Sequence, residues 1–76
     1  MPTPNLTEVA EIVCEIGGLT QLDPDRDFYE AGVSSIQSLP LLMQLEDRFN
    51  ISIPDEQFTQ VRTVRQLGVL ISELSL

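Results

Sequence analysis

The sequence predicts an all-α fold, a small irregular four-helix bundle of three longer helices and one short one, with a long first loop. Three observations support this prediction. Apolar residues recur at helical spacing in three stretches, capping residues stand at the start of each, and no stretch alternates apolar and polar residues as a strand would. The predicted helices span about residues 5–16, 35–49, 55–60 and 64–74.

The first predicted helix has one apolar face and one acidic face. Its apolar face consists of Leu6, Val9, Val13 and Ile16. Its acidic face consists of Glu8, Glu11 and Glu15. Either Thr3 or Asn5 can cap its start, and the glycine pair at 17–18 ends it.

A long loop is predicted over residues 19–32. The segment 23–27 contains three Asp and one Pro, which is turn chemistry. We expect Leu19, Leu22 and Phe28 to anchor this loop on the core.

The second predicted helix carries two apolar stripes, one more than an ordinary surface helix needs. Ser34 and Gln37 have capping-box spacing at its start, and Asn50 suits its C-terminal cap. The predicted core side consists of Leu41, Leu42, Leu45 and Phe49. The second stripe consists of Ile36, Leu39 and Met43, with Glu46 and Asp47 at its borders. Either both stripes are buried, or the second is an exposed docking strip with an acidic rim, which we favour.

The C-terminal part is predicted to hold the short helix and the last long one. A short extended link over 51–54 precedes the helix over 55–60, which carries Phe58. Thr63 caps the last helix, with Gln66 as its capping-box partner. The residues predicted to be buried there are Val64, Leu67, Leu70, Ile71 and Leu74.

Length and composition limit the classes of function. The 76 residues fit one domain over 1–76, and a single cysteine with no histidine excludes an internal disulfide and a zinc site. Twelve acids against four Arg give a net charge of −8, which argues against nucleic acid and anionic membrane as partners. No signal peptide or membrane-spanning run is visible. We therefore expect a free-standing cytoplasmic monomer.

Ser35 is the candidate functional residue, at the start of the second predicted helix. Unpaired N–H groups and a partial positive charge at a helix N-terminus favour a phosphate ester there. Taken alone, such a serine is more often an ordinary cap. The segments around it decide between the two interpretations.

The stretch from Asp27 to Ile36, DFYEAGVSSI, resembles the attachment signature of acyl carrier proteins. In that family an aromatic-containing loop is followed by a Gly, one further residue, a position that is usually Asp, the modified Ser, and a Leu or Ile. The resemblance continues through residues 41–56, with FNISIPDE as its most distinctive run, and ends with VRTV at 61–64. It covers nearly the whole chain.

The resemblance implies a carrier of acyl or aminoacyl groups. A phosphopantetheinyl transferase would esterify Ser35 with 4'-phosphopantetheine from coenzyme A, and the terminal thiol would carry the cargo as a thioester. An acyl- or aminoacyl-loading ligase and downstream synthase or transferase enzymes would then be partners, and core residues between the helices would shelter an acyl chain. Catalysis would belong to these partners, because the chain has no histidine to activate a serine. The implied partner-recognition residues are Ile36, Leu39, Met43, Glu46, Asp47 and Val61.

Three features depart from the family pattern. Ser34 replaces the usual Asp before the modified serine, and this keeps a good N-cap but removes one acidic contact. Pro40 lies inside the second predicted helix, so either the helix is kinked, which we favour, or regular helix begins only at Ser38. Residues 35–76 hold five acids and three Arg, whereas residues 1–34 hold seven acids and one Arg. Partners would therefore dock through apolar contact more than through charge. We take this as an indication of a carrier for a specialised biosynthetic pathway.

Three other classes of function were weighed. Asp23, Asp25 and Asp27 imitate the first ligands of a calcium-binding EF-hand loop, but Phe28 and Ser34 stand where Gly and Glu are required. An enzyme using Cys14 would lack a base, since the chain has no histidine. An interaction module that carries no arm remains the main alternative, because it would need the second stripe but not Ser35.

Overall fold

A computed structural model describes residues 6–75, and this part of the chain is helical. In chain order the elements are α1 (Leu6–Gly17), α2 (Phe28–Ala31), a 3-10 helix (Ser35–Gln37), α3 (Ser38–Phe49), α4 (Asp55–Phe58) and α5 (Val64–Leu74). No β-strand forms between residues 6 and 75, although one isolated bridge pairs Asp27 with Thr63. The predicted all-α class is confirmed. None of the helices in this range is both long and apolar enough to cross a lipid bilayer.

The core lies where α1 packs against both α3 and α5. Its fully buried side chains come from all three long helices and from α2, and the largest are Phe28, Leu41, Leu45, Leu67, Ile71, Val9, Val13 and Val64. The predicted core side of α3 is therefore buried, with Phe49 packed at its edge. Ile12, which the apolar face predicted for α1 omitted, is also buried.

Two glycines shape α1 and its contacts. A Cβ on Gly68 of α5 would lie 2.5 Å from Leu6 Cδ2, so glycine allows the two helices to approach closely there. Gly18 has φ +70°, and the Leu19 N–H donates to the Cys14 carbonyl at 2.8 Å, which closes the C-terminus of α1. The predicted caps Thr3 and Asn5 lie outside the described residues.

The segment predicted as a loop over 19–32 contains α2, which the sequence analysis missed. The carboxylate of Asp27 caps it, because Oδ1 accepts hydrogen bonds from the N–H groups of Tyr29 (2.9 Å) and Glu30 (3.2 Å). Phe28 is fully buried and anchors α2 on the core, as expected of this residue. Leu19 and Leu22 are partly buried against the same core.

Pro40 does not kink a helix over 35–49, so the favoured prediction was wrong. Residues Ser35–Gln37 form a 3-10 helix, and regular α-helix begins at Ser38, which was the other alternative. Pro40 then occupies the first turn of α3, where backbone N–H groups have no intrahelical acceptor. Its missing N–H therefore leaves no intrahelical bond unmade.

The last two helices, α4 and α5, form close to where the local sequence predicts them. The helix α4 ends at Phe58, two residues before the predicted end at 60. Thr63 caps α5, because its Oγ1 accepts from the Gln66 N–H at 3.1 Å. The Gln66 Oε1 atom accepts from the Arg62 N–H at 2.7 Å, one residue before the position that a capping box would use. Four of the five predicted apolar residues of α5 are buried, and Leu74 is partly buried.

Candidate functional site

Ser35 lies between α2 and α3, as the first residue of the 3-10 helix, and it is exposed. Among residues 6–75 its Oγ has no hydrogen-bond partner. Its backbone is held, because the Ser35 carbonyl accepts from the Ser38 hydroxyl at 2.6 Å. The site therefore presents a free hydroxyl on a fixed turn.

The residues on either side of Ser35 are joined by hydrogen bonds. The Ser34 N–H donates to Gln37 Oε1 at 2.9 Å, and the Gln37 N–H donates to the Ser34 carbonyl at 3.0 Å. The first of these is the bond predicted from the capping-box spacing of the two residues. The amide nitrogen Nε2 of Gln37 also donates to the Ile16 carbonyl at the end of α1, at 3.0 Å. Sequence reasoning missed this bond, since it joins residues 21 apart.

Val33 anchors the segment that leads to Ser35 on the core. This residue is buried, and its N–H donates to the Phe28 carbonyl at 3.0 Å. A Cβ on Gly17 would lie 2.7 Å from Val33 Cγ2, so α1 and this segment are in close contact. The chain turns at Gly32, whose φ of +137° favours glycine. Ser35 is therefore held at the surface by residues that are themselves in the core.

The second stripe of the predicted second helix is exposed. Ile36, Leu39 and Met43 have 86%, 61% and 60% of their surface accessible, which excludes the alternative that both stripes are buried. We call these three residues the apolar strip. Asp47 is exposed one turn beyond Met43. Large apolar side chains exposed side by side are typical of binding surfaces.

Two of the predicted partner contacts, Glu46 and Val61, are not freely exposed as the apolar strip is. The carboxylate of Glu46 is half-buried, and its Oε2 accepts from the Ile53 N–H at 2.8 Å, which holds the link between α3 and α4. Val61 is only 9% exposed and belongs to the core. Of the predicted contacts, the apolar strip and Asp47 are thus exposed, whereas Glu46 is bonded to the α3–α4 link and Val61 is in the core.

A shallow recess lies between α3 and α4 beside the apolar strip. Its lining residues are Ser38, Leu39, Leu42, Asp55, Phe58 and Thr59. Leu42 and Phe58 are buried and form its apolar floor.

Three of the four arginines form ion pairs on the surface. Arg48 binds Glu8 at 2.6 Å, Arg62 binds Asp27 from the segment before α5, and Arg65 of α5 binds Asp25 of the first loop. Hydrogen bonds from Arg65 and Arg62 lower the pKa values of Asp25 and Asp27 respectively. Between residues 6 and 75 no group of three or more His, Cys, Asp or Glu is placed to hold a metal ion. Asp25 and Asp27, the residues that imitate calcium ligands, thus act as partners of arginine.

Cys14 is half-buried on α1, and desolvation raises the pKa of its thiol. A raised pKa disfavours the thiolate, the form that acts as a nucleophile. With no histidine in the chain, no imidazole base is available to activate it or Ser35. These features are those of a partly buried structural cysteine.

An exposed serine held at the start of a helix, with an exposed apolar strip beside it, is the arrangement expected of a small helical carrier protein. The family model described as "Phosphopantetheine attachment site" matches residues 7–71 of the chain. The protein therefore belongs to the phosphopantetheine-attachment family of acyl carrier proteins, whose prosthetic group is covalently bound 4'-phosphopantetheine.

Individual relatives are also acyl carrier proteins. The chain is 29% identical over 69 residues to the meromycolate extension acyl carrier protein of Mycobacterium leprae, covering 87% of this chain and 60% of that protein. It is 33% identical over 63 residues to the acyl carrier protein of Myxococcus xanthus, covering 79% and 80%. The crystal structure of an acyl carrier protein from Thermotoga maritima superposes with a TM-score of 0.75 at 30% identity, covering 92% and 85%.

The residues at Ser35 fit the prosthetic group. Esterification needs a hydroxyl that is exposed and free of competing hydrogen bonds, and Ser35 Oγ meets both conditions within the described range. The first N–H groups of a helix, which have no intrahelical partner, favour a negative group at this end.

Proposed function

We propose that this protein is an acyl or aminoacyl carrier protein that carries its cargo on a 4'-phosphopantetheine arm attached to Ser35. The observation that carries the proposal is the exposed, unbonded Ser35 hydroxyl at the start of the 3-10 helix. Ser35 is three positions after Gly32, the spacing that the resemblance gives for the family's modified serine.

In the modification step the Ser35 oxygen bonds to the phosphorus of the phosphopantetheine part of coenzyme A. The phosphoanhydride bond of coenzyme A breaks, and adenosine 3',5'-bisphosphate leaves with the bond's electron pair. The hydroxyl proton passes to a base of the phosphopantetheinyl transferase, since this chain has no histidine to take it. Once bound, the arm supplies a terminal thiol that holds cargo as a thioester.

The carrier itself performs no catalysis in this proposal. Its described residues supply a displayed serine, a recess beside it and a surface for docking, while the partner enzymes supply the acids and bases. The partners are the transferase, an acyl- or aminoacyl-loading ligase, and a downstream synthase or transferase enzyme. Each must bring its active site to the arm, so each docks at the apolar strip around Ser35.

We also propose a specialised biosynthetic role in the cytoplasm. Several relatives are named for meromycolate extension, and the aligned segment spans 60% of the Mycobacterium leprae protein of that name. The apolar strip is less acidic than expected of a general fatty-acid carrier, which favours dedicated partners. The net charge of −8 favours a monomer, because like-charged copies repel one another.

Intact-mass spectrometry after incubation with coenzyme A and a broad-specificity transferase tests the proposal. We expect the wild type to gain the mass of one phosphopantetheine group. Ser35→Ala should abolish the gain, whereas the matched control Ser34→Ala should keep it.

Two results would count against the proposal. A wild-type protein that gains no mass would be an interaction module without an arm. A gain lost in Ser34→Ala and kept in Ser35→Ala would move the attachment to the neighbouring serine.

A further inference from the structure

The Gln37 side chain joins the turn that holds Ser35 to the end of α1. Its Oε1 accepts the Ser34 N–H at 2.9 Å while its Nε2 donates to the Ile16 carbonyl at 3.0 Å. One planar amide therefore makes one bond to the residue before Ser35 and one bond to a helix 21 residues away. Gln37 itself is half-buried and makes these bonds at the edge of the core.

The bond to Ile16 has a physical reason on the side of α1. The helix ends at Gly17, so the Ile16 carbonyl is among the last four, which have no intrahelical donor. The Gln37 amide supplies that donor. Close contact between Gly17 and Val33 brings the two segments within reach of one another.

The other hydrogen bonds within the turn are short-range. The Gln37 N–H donates to the Ser34 carbonyl, and the Ser38 hydroxyl donates to the Ser35 carbonyl. These bonds give the turn its shape, but they join residues three apart and do not fix it relative to the bundle. The Gln37–Ile16 bond ties the turn to a long helix, beside the packing of Val33 on Gly17, and we expect it to help set the direction in which the Ser35 hydroxyl points.

We propose that Gln37 is a positioning residue for the modification of Ser35, acting through its bond to α1. This inference rests on the proposed function, because it concerns the same serine. Gln37 does not touch the reacting atoms; it holds the turn so that the hydroxyl enters the transferase in a productive direction. Misplacement of a reacting group by about 1 Å can lower a rate by up to about 100-fold.

Glutamine is the side chain that fits both bonds. Glutamate of the same length can accept from the Ser34 N–H, but as a carboxylate it has no proton to donate to the Ile16 carbonyl. Alanine can do neither. Gln37→Glu and Gln37→Ala therefore separate the local cap from the link to α1.

The test measures kcat and KM for phosphopantetheine transfer to the full chain, with coenzyme A and a broad-specificity transferase, by intact mass. We expect both Gln37→Glu and Gln37→Ala to lower kcat at least about tenfold. The matched control Gln57→Ala, at an exposed glutamine of α4, should keep the wild-type kcat. Far-UV circular dichroism at the assay temperature verifies that each variant is folded.

Amide hydrogen exchange at Ser34 supplies a readout that stability alone would not move. Its N–H should stay protected in Gln37→Glu, where the carboxylate accepts it, and lose protection in Gln37→Ala. Slow transfer together with a protected Ser34 amide, which we expect in Gln37→Glu, is the result that identifies loss of the bond to α1.

The other outcomes are distinguishable. Wild-type kcat in Gln37→Glu, or a change in KM alone, overturns the inference, because the local cap or docking would then explain the effect of Gln37. A wild-type protein that is never modified defeats the proposed function itself, before any variant is compared.

Discussion

The Asp27 carboxylate forms an ion pair with Arg62 and also caps the N-terminus of α2. Its Oδ2 accepts from Arg62 Nε at 2.5 Å, and its Oδ1 caps α2 through the N–H groups of Tyr29 and Glu30. The neighbouring Phe28 N–H donates to the Arg62 carbonyl at 2.8 Å. The short helix before Ser35 is therefore fixed to the segment that precedes α5.

This ion pair and its neighbour Asp25–Arg65 predict an acid-dependent loss of stability. Hydrogen bonds from the arginines lower both aspartate pKa values below their ordinary value of 3.8. The unfolded chain therefore takes up these protons at a higher pH than the folded chain. The stabilisation is complete above 3.8 and is lost as the pH falls from there through the lower folded-state pKa values.

The double variant Asp25→Asn, Asp27→Asn should show a shallower fall in the free energy of unfolding between about pH 5 and pH 2. Urea titrations at low ionic strength measure it, since salt screens such exposed pairs. The control is Glu11→Gln, at an exposed carboxylate on α1, which should keep the wild-type slope. Equal slopes in the double variant and the wild type would contradict the prediction.

Two leucines of α3 should differ sharply in their contribution to stability. Leu45 is fully buried, so Leu45→Ala should lower the free energy of unfolding by about 2–5 kcal/mol, through lost transfer energy and a residual cavity. Leu39 is 61% exposed, and Leu39→Ala should change it by less than about 0.5 kcal/mol. Denaturant unfolding followed by circular dichroism measures both. Similar losses would mean that the apolar strip is part of the core.

Local signals predicted the parts of the fold that local interactions determine. Thr63 caps α5 and Gly18 closes α1 as the sequence indicated, because each needs only residues a few positions away. The helix α2 was missed because its four residues are too few to show a helical period. Its stability comes from the Asp27 cap and the burial of Phe28.

At the candidate site, the features that the sequence did not predict depend on tertiary contacts. The sequence showed that Pro40 removes an N–H, but not whether a kink or a later start would accommodate it. The bond from Gln37 to Ile16 holds the 3-10 helix in place, and no local pattern reveals that bond. The burial of Val61 and the use of the Glu46 carboxylate by Ile53 are likewise contacts between separate segments.

The C-terminal cap of α3 predicts an unequal effect of two small substitutions. Asn50 has φ 56° and ψ 49°, the left-handed conformation that glycine adopts freely and alanine does not. Asn50→Ala should be about 1 kcal/mol less stable than Asn50→Gly, because its Cβ is strained there. Thermal or urea unfolding of the two variants measures the difference. Equal stabilities would show that the backbone relaxes out of this conformation.

Docking at the apolar strip should depend weakly on salt. The strip itself is apolar, and the exposed acids at its border are Asp47, one turn beyond Met43, and Asp55, across the recess from Leu39. Raising the ionic strength from about 0.1 M to about 1 M shortens the Debye length from about 10 Å to about 3 Å. We expect this to raise the transferase KM for the carrier less than about threefold, because little of the contact is electrostatic.

Two variants distinguish apolar from charged docking in the same assay. Met43→Ala should raise KM at least about fivefold, the effect of a contact residue worth about 1 kcal/mol. Asp47→Asn, one turn away on the same helix, should change KM less than about twofold, since a charge at the rim of an interface contributes little. If salt and Asp47→Asn both raised KM steeply while Met43→Ala did not, the carrier would be recognised by its charge, and the apolar strip would have another purpose.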